Sequence, residues 1–518
     1  MSETARVCSV DELEDDQMLE ASVGEIDIMV ARVDGEFFAT GAHCTHYGAP
    51  LANGVLSGGT VVCPWHHAVF DVTSGDHVEP PGQDCLSSFE VEVRDGGVFV
   101  TVPDGAEESR PPEFCEADAD DARHFVIVGG GAAGSAAAEA LRREGYTGRI
   151  TMITEDEFEP YDRPNLSKAY LAGEGDEAWL PLRDSSFYRE LDIAVTTGTR
   201  VERFDAQSNT LELDDGTQVS FTKALLATGG APNRLPVDGI DGEGVYELRT
   251  RSDASAIIEA ADGADSAVVV GSSFIGMEVA ASLVERGLEV TVTGLDDIPF
   301  ENILGADVGR AIEALHRENG VAFELGHGLE RIDHDAGPSV VLDDGTALSA
   351  DLVVVGVGVH PATDFVEGLD LEEDGSISVD ERMRVTDDIY AAGDIATFPS
   401  SLDGRPVRIE HWRLAGQHGR VAAANMAGSK ASYDEVPFFW TRQFGVTFKY
   451  VGHAEDWDDT ILVGDLDERD FAVFYVEDGA IAAACGTRGA LLTRVHDLLR
   501  RDVMPSPEQI RSGVFDDE

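Results

Sequence analysis

Apolar and polar positions alternate with a period of two through residues 1–103. EIDIMVARVDGEFFAT, TVVCPWHHAVFDVTSG and SFEVEVRDGGVFVTV read as short strands closed by glycine-containing turns. That pattern predicts a small all-β domain. The stretch PDGAEESRPPEFCEADADDA holds three prolines, eight acids and little apolar content, which predicts a flexible linker over residues 104–122. At His124 the period changes. HFVIVGGGAAGSAAAEALRREGYTGRITMITED reads as strand, glycine turn, helix and strand, and SAVVVGSSFIGMEVAASLVERGLEVTVTG repeats the order. Two βαβ units predict two doubly wound α/β, Rossmann-type nucleotide-binding domains. We assign them to residues 123–240 with 366–430, and to residues 241–365. Residues 431–518, with DFAVFYVEDGAIAAACG and the closing TRVHDLLRR, predict an α+β carboxy-terminal domain.

Composition bounds the partners. Across 518 residues, 37 basic side chains face 99 acidic ones, a net charge of −62. Nucleic acid and anionic lipid would be repelled, so neither is expected as a partner. Only four lysines occur, Lys168, Lys223, Lys430 and Lys449. An evenly acidic, lysine-poor surface resembles the proteins of salt-accumulating halophiles, because salt screens the self-repulsion. No apolar run reaches the roughly 18 residues of a membrane span, and MSETARVCSV reads as no signal peptide. Six cysteines make no disulfide framework. A cytoplasmic, reducing location is expected.

The sharpest chemistry lies in the first domain. Cys44-Thr-His46, then Cys63-Pro-Trp-His66, place one sulfur and one nitrogen on each of two loops, beside the turns HYGAPL and TSGD. Tetrahedral zinc is the plain alternative. The loops CTHYGAPLANG and CPWHHAVFDVTSG resemble those of the Rieske family, which implies a [2Fe–2S] cluster with two Cys on one iron and two His on the other. His43 and His67 read as bystanders. High-potential Rieske proteins join their loops by a disulfide. Here the corresponding places hold Gly48, Ala49, Pro64 and Trp65, which implies a potential toward the low end of the range, about −150 mV. Glu410, His411 and His418 lack the spacing of an oxygenase's mononuclear iron site.

Gly129, Gly131 and Gly134 follow the strand HFVIV. This spacing lets a helix N-terminus face a pyrophosphate, with Glu155 at the next strand's end for ribose hydroxyls. The second unit reads Gly271, Ser273, Gly276, with serine in the middle place. Gly294 stands where an acid would select NADH, and no Arg or Lys follows to bind a 2′-phosphate. The reading leans to NADH over NADPH, with Asp296 as a substitute acid.

PYDRPNLSKAYL, LLATGGAPN, VTDDIYAAGDIA and EHWRLAGQHGRVAAANM resemble, in that order, the flavin reductases of the pyridine nucleotide-disulfide oxidoreductase superfamily. The resemblance is to the Rieske-fused, apoptosis-inducing-factor-like branch of the ferredoxin reductase type. It implies FAD in the first site, with Asp394 on the ribityl chain and Arg163, Pro164 and Lys168 along the flavin. Trp412 would approach the isoalloxazine, and Lys168 would pair with Glu278 beside flavin N5. NAD(P)H would use Gly271, Ser273, Gly276 and Glu278. The redox cysteine pair of disulfide reductases is missing, and Cys8, Cys85, Cys115 and Cys485 read as isolated thiols.

The implied activity is oxidation of NAD(P)H by FAD, with Lys168, Glu278 and Trp412 as catalytic residues. Electrons then pass to the fused cluster and on to an unknown acceptor. The linker would let the cluster domain shuttle, and His46 and His66 would face solvent. Two alternatives are an oxidase or quinone reductase with a regulatory Rieske domain, and a redox-responsive binding protein. A homodimer is left open, and the aromatic cluster in VPFFWTRQFGVTFKYVG reads as core rather than as an acceptor site.

Overall fold

In the computed structural model, which describes residues 2–335 and 337–516, the amino-terminal region is two antiparallel sheets. Six strands pair in the order Ser2–Ser9, Gly97–Pro103, Ser88–Arg94, Glu36–Gly41, Ile26–Val33 and Gln17–Val23. Alternation sends Ile28, Val30, Val98 and Val100 to one buried cluster. Two hairpins turn on Asp34-Gly35 and Asp95-Gly96, all four residues at positive φ, the dihedrals that match strand twist in a two-residue turn. The smaller sheet, Val55–Ser57, Thr60–Val62, Val69–Asp71 and His77–Glu79, holds out the two loops that carry Cys44 and Cys63.

The segment after this region is no free tether. Ser109–Arg110 pairs with Cys85–Leu86, and the amides of Cys115 and Asp118 donate to the carbonyls of Arg142 and Thr147. Phe114 packs edge-on against Phe187 at 5.7 Å. This corrects the expected flexible linker and the shuttling drawn from it. Proline and acid content excludes a long helix or strand, yet it permits single backbone pairings to the surfaces on either side.

Both five-stranded parallel sheets are doubly wound. The first orders Ile193–Thr196, Arg149–Ile153, His124–Val128, Lys223–Leu226 and Ile389–Ala391. The second orders Val245–Glu247, Leu352–Val355, Ser266–Val270, Glu289–Gly294 and Ala322–Leu325. Their first strands are apolar after the leading His124 and Ser266 because both faces are buried: in the second sheet Val269 packs toward the helix Phe274–Glu285, while Val268 and Val270 pack on Ile332, Val340 and Leu342 of an antiparallel sheet. In each sheet the strand order reverses beside that first strand, and the crevice there is where doubly wound folds bind ligands. The helices Ala132–Arg143 and Trp412–Ala427 cross closely. A Cβ on Gly419 would lie 2.1 Å from the Ala133 carbonyl oxygen, so the contact requires glycine.

The carboxy-terminal region is a five-stranded antiparallel sheet, Phe438–Gln443, Val446–Gly452, Ala480–Gly486, Asp470–Glu477 and Asp459–Asp465, packed on the helix Gly489–Arg500. No helix among the described residues is long and apolar enough to cross a membrane.

Candidate functional site

One continuous cavity of about 2090 Å³ runs between the two doubly wound sheets, about twice the upper end of ordinary small-molecule pockets. Both glycine loops lie along it. Gly129 sits at φ 113°, where a Cβ would come 2.2 Å from the Ala227 carbonyl oxygen, and a Cβ on Gly134 would lie 1.9 Å from the Gly129 oxygen. Gly131 has open space at its Cβ position and lines the cavity. Two glycines thus close the turn and the third leaves room for a ligand, which fits a dinucleotide pyrophosphate at the N-terminus of Ala132–Arg143.

The second loop repeats this with one change. Gly271 lies at φ 117°, 2.2 Å from the Gly356 oxygen at its Cβ position, and Gly276 would meet the Gly271 oxygen at 2.0 Å. Ser273, like Gly131, has an extended backbone that any residue adopts. Its hydroxyl folds away to donate to the Gly356 carbonyl at 3.0 Å. The serine departure therefore costs the cradle little. At Gly294 a Cβ would meet Ser272 Oγ at 2.6 Å. Asp296 is absent from the cavity wall and accepts from Asn302, which is on that wall.

Lys168 and Glu278, 110 positions apart, meet at 2.8 Å. Glu278 is 3% exposed and also accepts from Ser167 Oγ at 2.5 Å and Thr441 Oγ1 at 2.6 Å. Lys168 donates further to the Pro164 carbonyl at 3.1 Å. Three regions of the chain thus converge on one carboxylate in the cavity wall. Asp394 accepts from the Gly230 amide at 3.2 Å and from Arg249 at 3.3 Å. Glu155 pairs with Arg200 at 2.6 Å on the exposed rim. Arg163 donates to the Arg249 carbonyl, and Arg163, Pro164 and Trp412 all line the cavity.

In the amino-terminal region, His46 Nδ1 and His66 Nδ1 stand 3.1 Å apart, and Cys44 and Cys63 are within hydrogen-bonding reach of each other. Backbone amides of His46 and Tyr47 point at the Cys44 sulfur, and those of Trp65 and His66 at Cys63. Such amides favour thiolates; the contact with Cys63 and burial nonetheless push the Cys44 thiol up, while the same contact brings Cys63 down. Burial holds His46 down at about 3 and His66 well below the ordinary imidazole range. Both rings are then neutral, the form that ligates metal. A donor set of two thiolates and two neutral imidazoles fits a Rieske cluster.

His46 and His66 are half-buried rather than open to solvent. The His66 ring packs at 4.3 Å on Trp440, which lines the cavity. His67 is fully buried, stacks on Phe438 at 3.6 Å and lies 3.2 Å from Thr493 Oγ1. His43 pairs with Glu108 at 2.8 Å. The aromatic cluster is core as expected at Phe438, Phe448 and Tyr450, while Trp440 stands between the cluster loops and the cavity. Around it, Tyr47 donates to Asp162, Arg413 donates to the carbonyls of His67 and Pro80, and Lys449 donates to that of Pro64. Burial pulls Lys449 down to about 8, which leaves it protonated at neutral pH. Sequence reasoning missed Tyr47, Asp162, Thr441, Trp440 and Lys449. The lysine's rarity in this chain was the one available signal.

Residues 123–419 match the family described as pyridine nucleotide-disulphide oxidoreductase, residues 3–90 the Rieske [2Fe-2S] domain, and residues 438–516 the reductase C-terminal domain. Apoptosis-inducing factor 3 of Homo sapiens is 38% identical over 509 residues, covering 96% of this chain and 84% of that one. Putidaredoxin reductase CamA of Pseudomonas putida is 35% identical, covering 70% of this chain and 87% of its own. The crystal structure of the covalent putidaredoxin reductase–putidaredoxin complex superposes with a TM-score of 0.70 at 32% identity, over 75% of this chain and 95% of that one. The chain belongs to the pyridine nucleotide-disulphide oxidoreductase family, as an FAD- and NAD(P)H-using member with a Rieske [2Fe–2S] domain at its amino end.

Proposed function

We propose that this flavin-dependent NAD(P)H oxidoreductase delivers its electrons singly through its own Rieske domain to a one-electron acceptor of ferredoxin type. FAD, when bound, accepts two electrons from NAD(P)H and releases them one at a time, which a [2Fe–2S] centre requires. The observation that carries the reading is Trp440, which lines the cavity on one side and packs on His66 on the other. The cluster loops are therefore docked in place, held by Tyr47 on Asp162, Lys449 on Pro64 and Arg413 on His67.

The residues divide the work. Gly129, Gly131, Gly134 and Glu155 shape the FAD end of the cavity, while Gly271, Ser273 and Gly276 shape the nicotinamide cofactor's end. Lys168 places a positive charge on the cavity wall, where it favours the anionic form of a reduced ring, and Glu278, Ser167 and Thr441 fix its direction. Asp394 presents a carboxylate oxygen held by Gly230 and Arg249. Cys44, His46, Cys63 and His66 hold the cluster. Trp65, 45% exposed and 6.5 Å from the His66 ring, forms the acceptor's approach. NADH is favoured, since no cation follows Gly294 in sequence to meet a 2′-phosphate. The protein works in a cytoplasmic, reducing and salty milieu, consistent with unpaired Cys8, Cys85, Cys115 and Cys485 and a charge of −62.

Anaerobic NADH addition tests this. Flavin absorbance should bleach first, followed by a Rieske EPR signal of low average g. Cys63→Ser should abolish the signal and transfer to a one-electron acceptor, yet leave flavin bleaching intact. Unimpaired acceptor reduction by Cys63→Ser would overturn the route.

A further inference from the structure

Lys449 lies on the strand Val446–Gly452 and is 5% exposed. It is one of four lysines in the chain, the other 33 of its 37 basic residues being arginine. Its ammonium donates to the carbonyl of Pro64, next to Cys63, and sits 3.5 Å from the Gly489 carbonyl and from Thr493 Oγ1. All three partners are neutral oxygens. Among the described residues no carboxylate hydrogen-bonds to it. His67 and His496, whose rings meet at 4.9 Å, and Arg413, which donates to the His67 carbonyl, supply no negative charge. A buried ammonium without a counter-charge costs several kcal/mol, so three neutral oxygens do not account for a lysine here.

The missing charge arises from the chemistry of the neighbouring site. Two ferric ions, two sulfides, two thiolates and two neutral imidazoles sum to zero net charge. One electron, supplied from NAD(P)H by way of FAD, leaves a single negative charge. A fixed cation in a low-dielectric interior therefore favours the reduced form over the oxidised one. We propose that Lys449, supplied by the carboxy-terminal region, is the counter-charge of the reduced Rieske cluster and raises its potential. By linkage, reduction must in turn tighten the docking of the cluster loops on that region. The proposal rests on reading Cys44, His46, Cys63 and His66 as cluster ligands.

The test is an EPR-monitored redox titration of the full-length holoprotein, as wild type, Lys449→Met and Lys449→Arg. At a fixed applied potential, Lys449→Met should retain the Rieske spectrum while its reduced-to-oxidised ratio falls at least threefold, roughly 30 mV at ~59 mV per decade for one electron. Lys449→Arg should stay within about twofold of wild type. An unchanged midpoint in Lys449→Met with an intact spectrum overturns the proposal. If Lys449→Met does not hold the cluster, wild type decides alone. Amide hydrogen exchange over residues 60–67 and 446–452 should be at least threefold slower in dithionite-reduced than in oxidised protein, and equal exchange overturns the proposal. Absence of any Rieske signal from wild type would instead refute the ligand reading beneath it.

Discussion

The indole of Trp440 packs on the imidazole of His66 with ring centroids 4.3 Å apart and planes tilted by 50°. The same indole lines the cavity between the two doubly wound sheets, so a single side chain spans the wall between that cavity and the cluster loops. Replacing it with leucine should slow cluster reduction about tenfold or more, ~1.4 kcal/mol of barrier, while flavin bleaching keeps its rate. Trp440→Phe should recover most of the loss. Stopped-flow traces at flavin and cluster wavelengths check this, and equal slowing of both phases would point to a general disturbance of folding.

Glu278 ties together three regions through Lys168, Ser167 and Thr441. Glu278→Ala leaves a partly buried ammonium and two hydroxyls without their acceptor. It should destabilise the protein by about 3–5 kcal/mol, read as a lower denaturation midpoint. Lys168→Met removes the positive charge from the cavity wall and should slow flavin reduction about 10²-fold with FAD still bound. A variant that loses FAD rather than rate would contradict the assignment.

Three buried histidines give stability an acid limit. Burial holds His316 down at about 4, and His411 and His418 at about 3, below the free value of 6.5. Between these values the unfolded chain binds more protons than the native one, so stability falls as pH drops below about 6.5. His316 alone contributes about 3 kcal/mol once pH is below both of its values. His316→Gln, which keeps a polar group for Gln443, should flatten the pH dependence of urea midpoints between pH ~6.5 and ~4. An unchanged slope would show that His316 titrates normally.

The excess of acids sets the response to salt. A net charge of −62 self-repels in dilute buffer, and a Debye length shrinking from about 10 Å toward 3 Å removes most of that repulsion. The melting temperature should rise steeply between about 0.1 M and 2 M KCl. Equal values at the two concentrations would refute a halophilic surface.

Local pattern made much of this legible. Alternation in EIDIMVARVDGEFFATG sets strand faces and a hairpin, and each Gly129- or Gly271-type turn sits between a buried strand and a helix because only glycine tolerates those φ angles and contacts. The four cluster-ligand candidates are likewise legible in their two loops, whereas the Lys168–Glu278 pairing, 110 positions apart, was only implied by the family resemblance. The docking of the first region was not legible. Composition suggested a loose linker over residues 104–122, but single backbone pairings tie it to both sides, and such pairings leave no periodic signal.

What the sequence by itself determined is therefore the set of parts: an all-β metal-binding region, two dinucleotide folds and the residue types at each site. The tertiary structure alone decided that Trp440, Thr441 and Lys449 of the last region complete sites begun by Glu278, Pro64 and His66. The physical reason is range. Turns, strands and glycine loops are set by interactions within a few residues, whereas a buried ammonium or a stacked indole takes its meaning only from surfaces that pack after distant segments have folded.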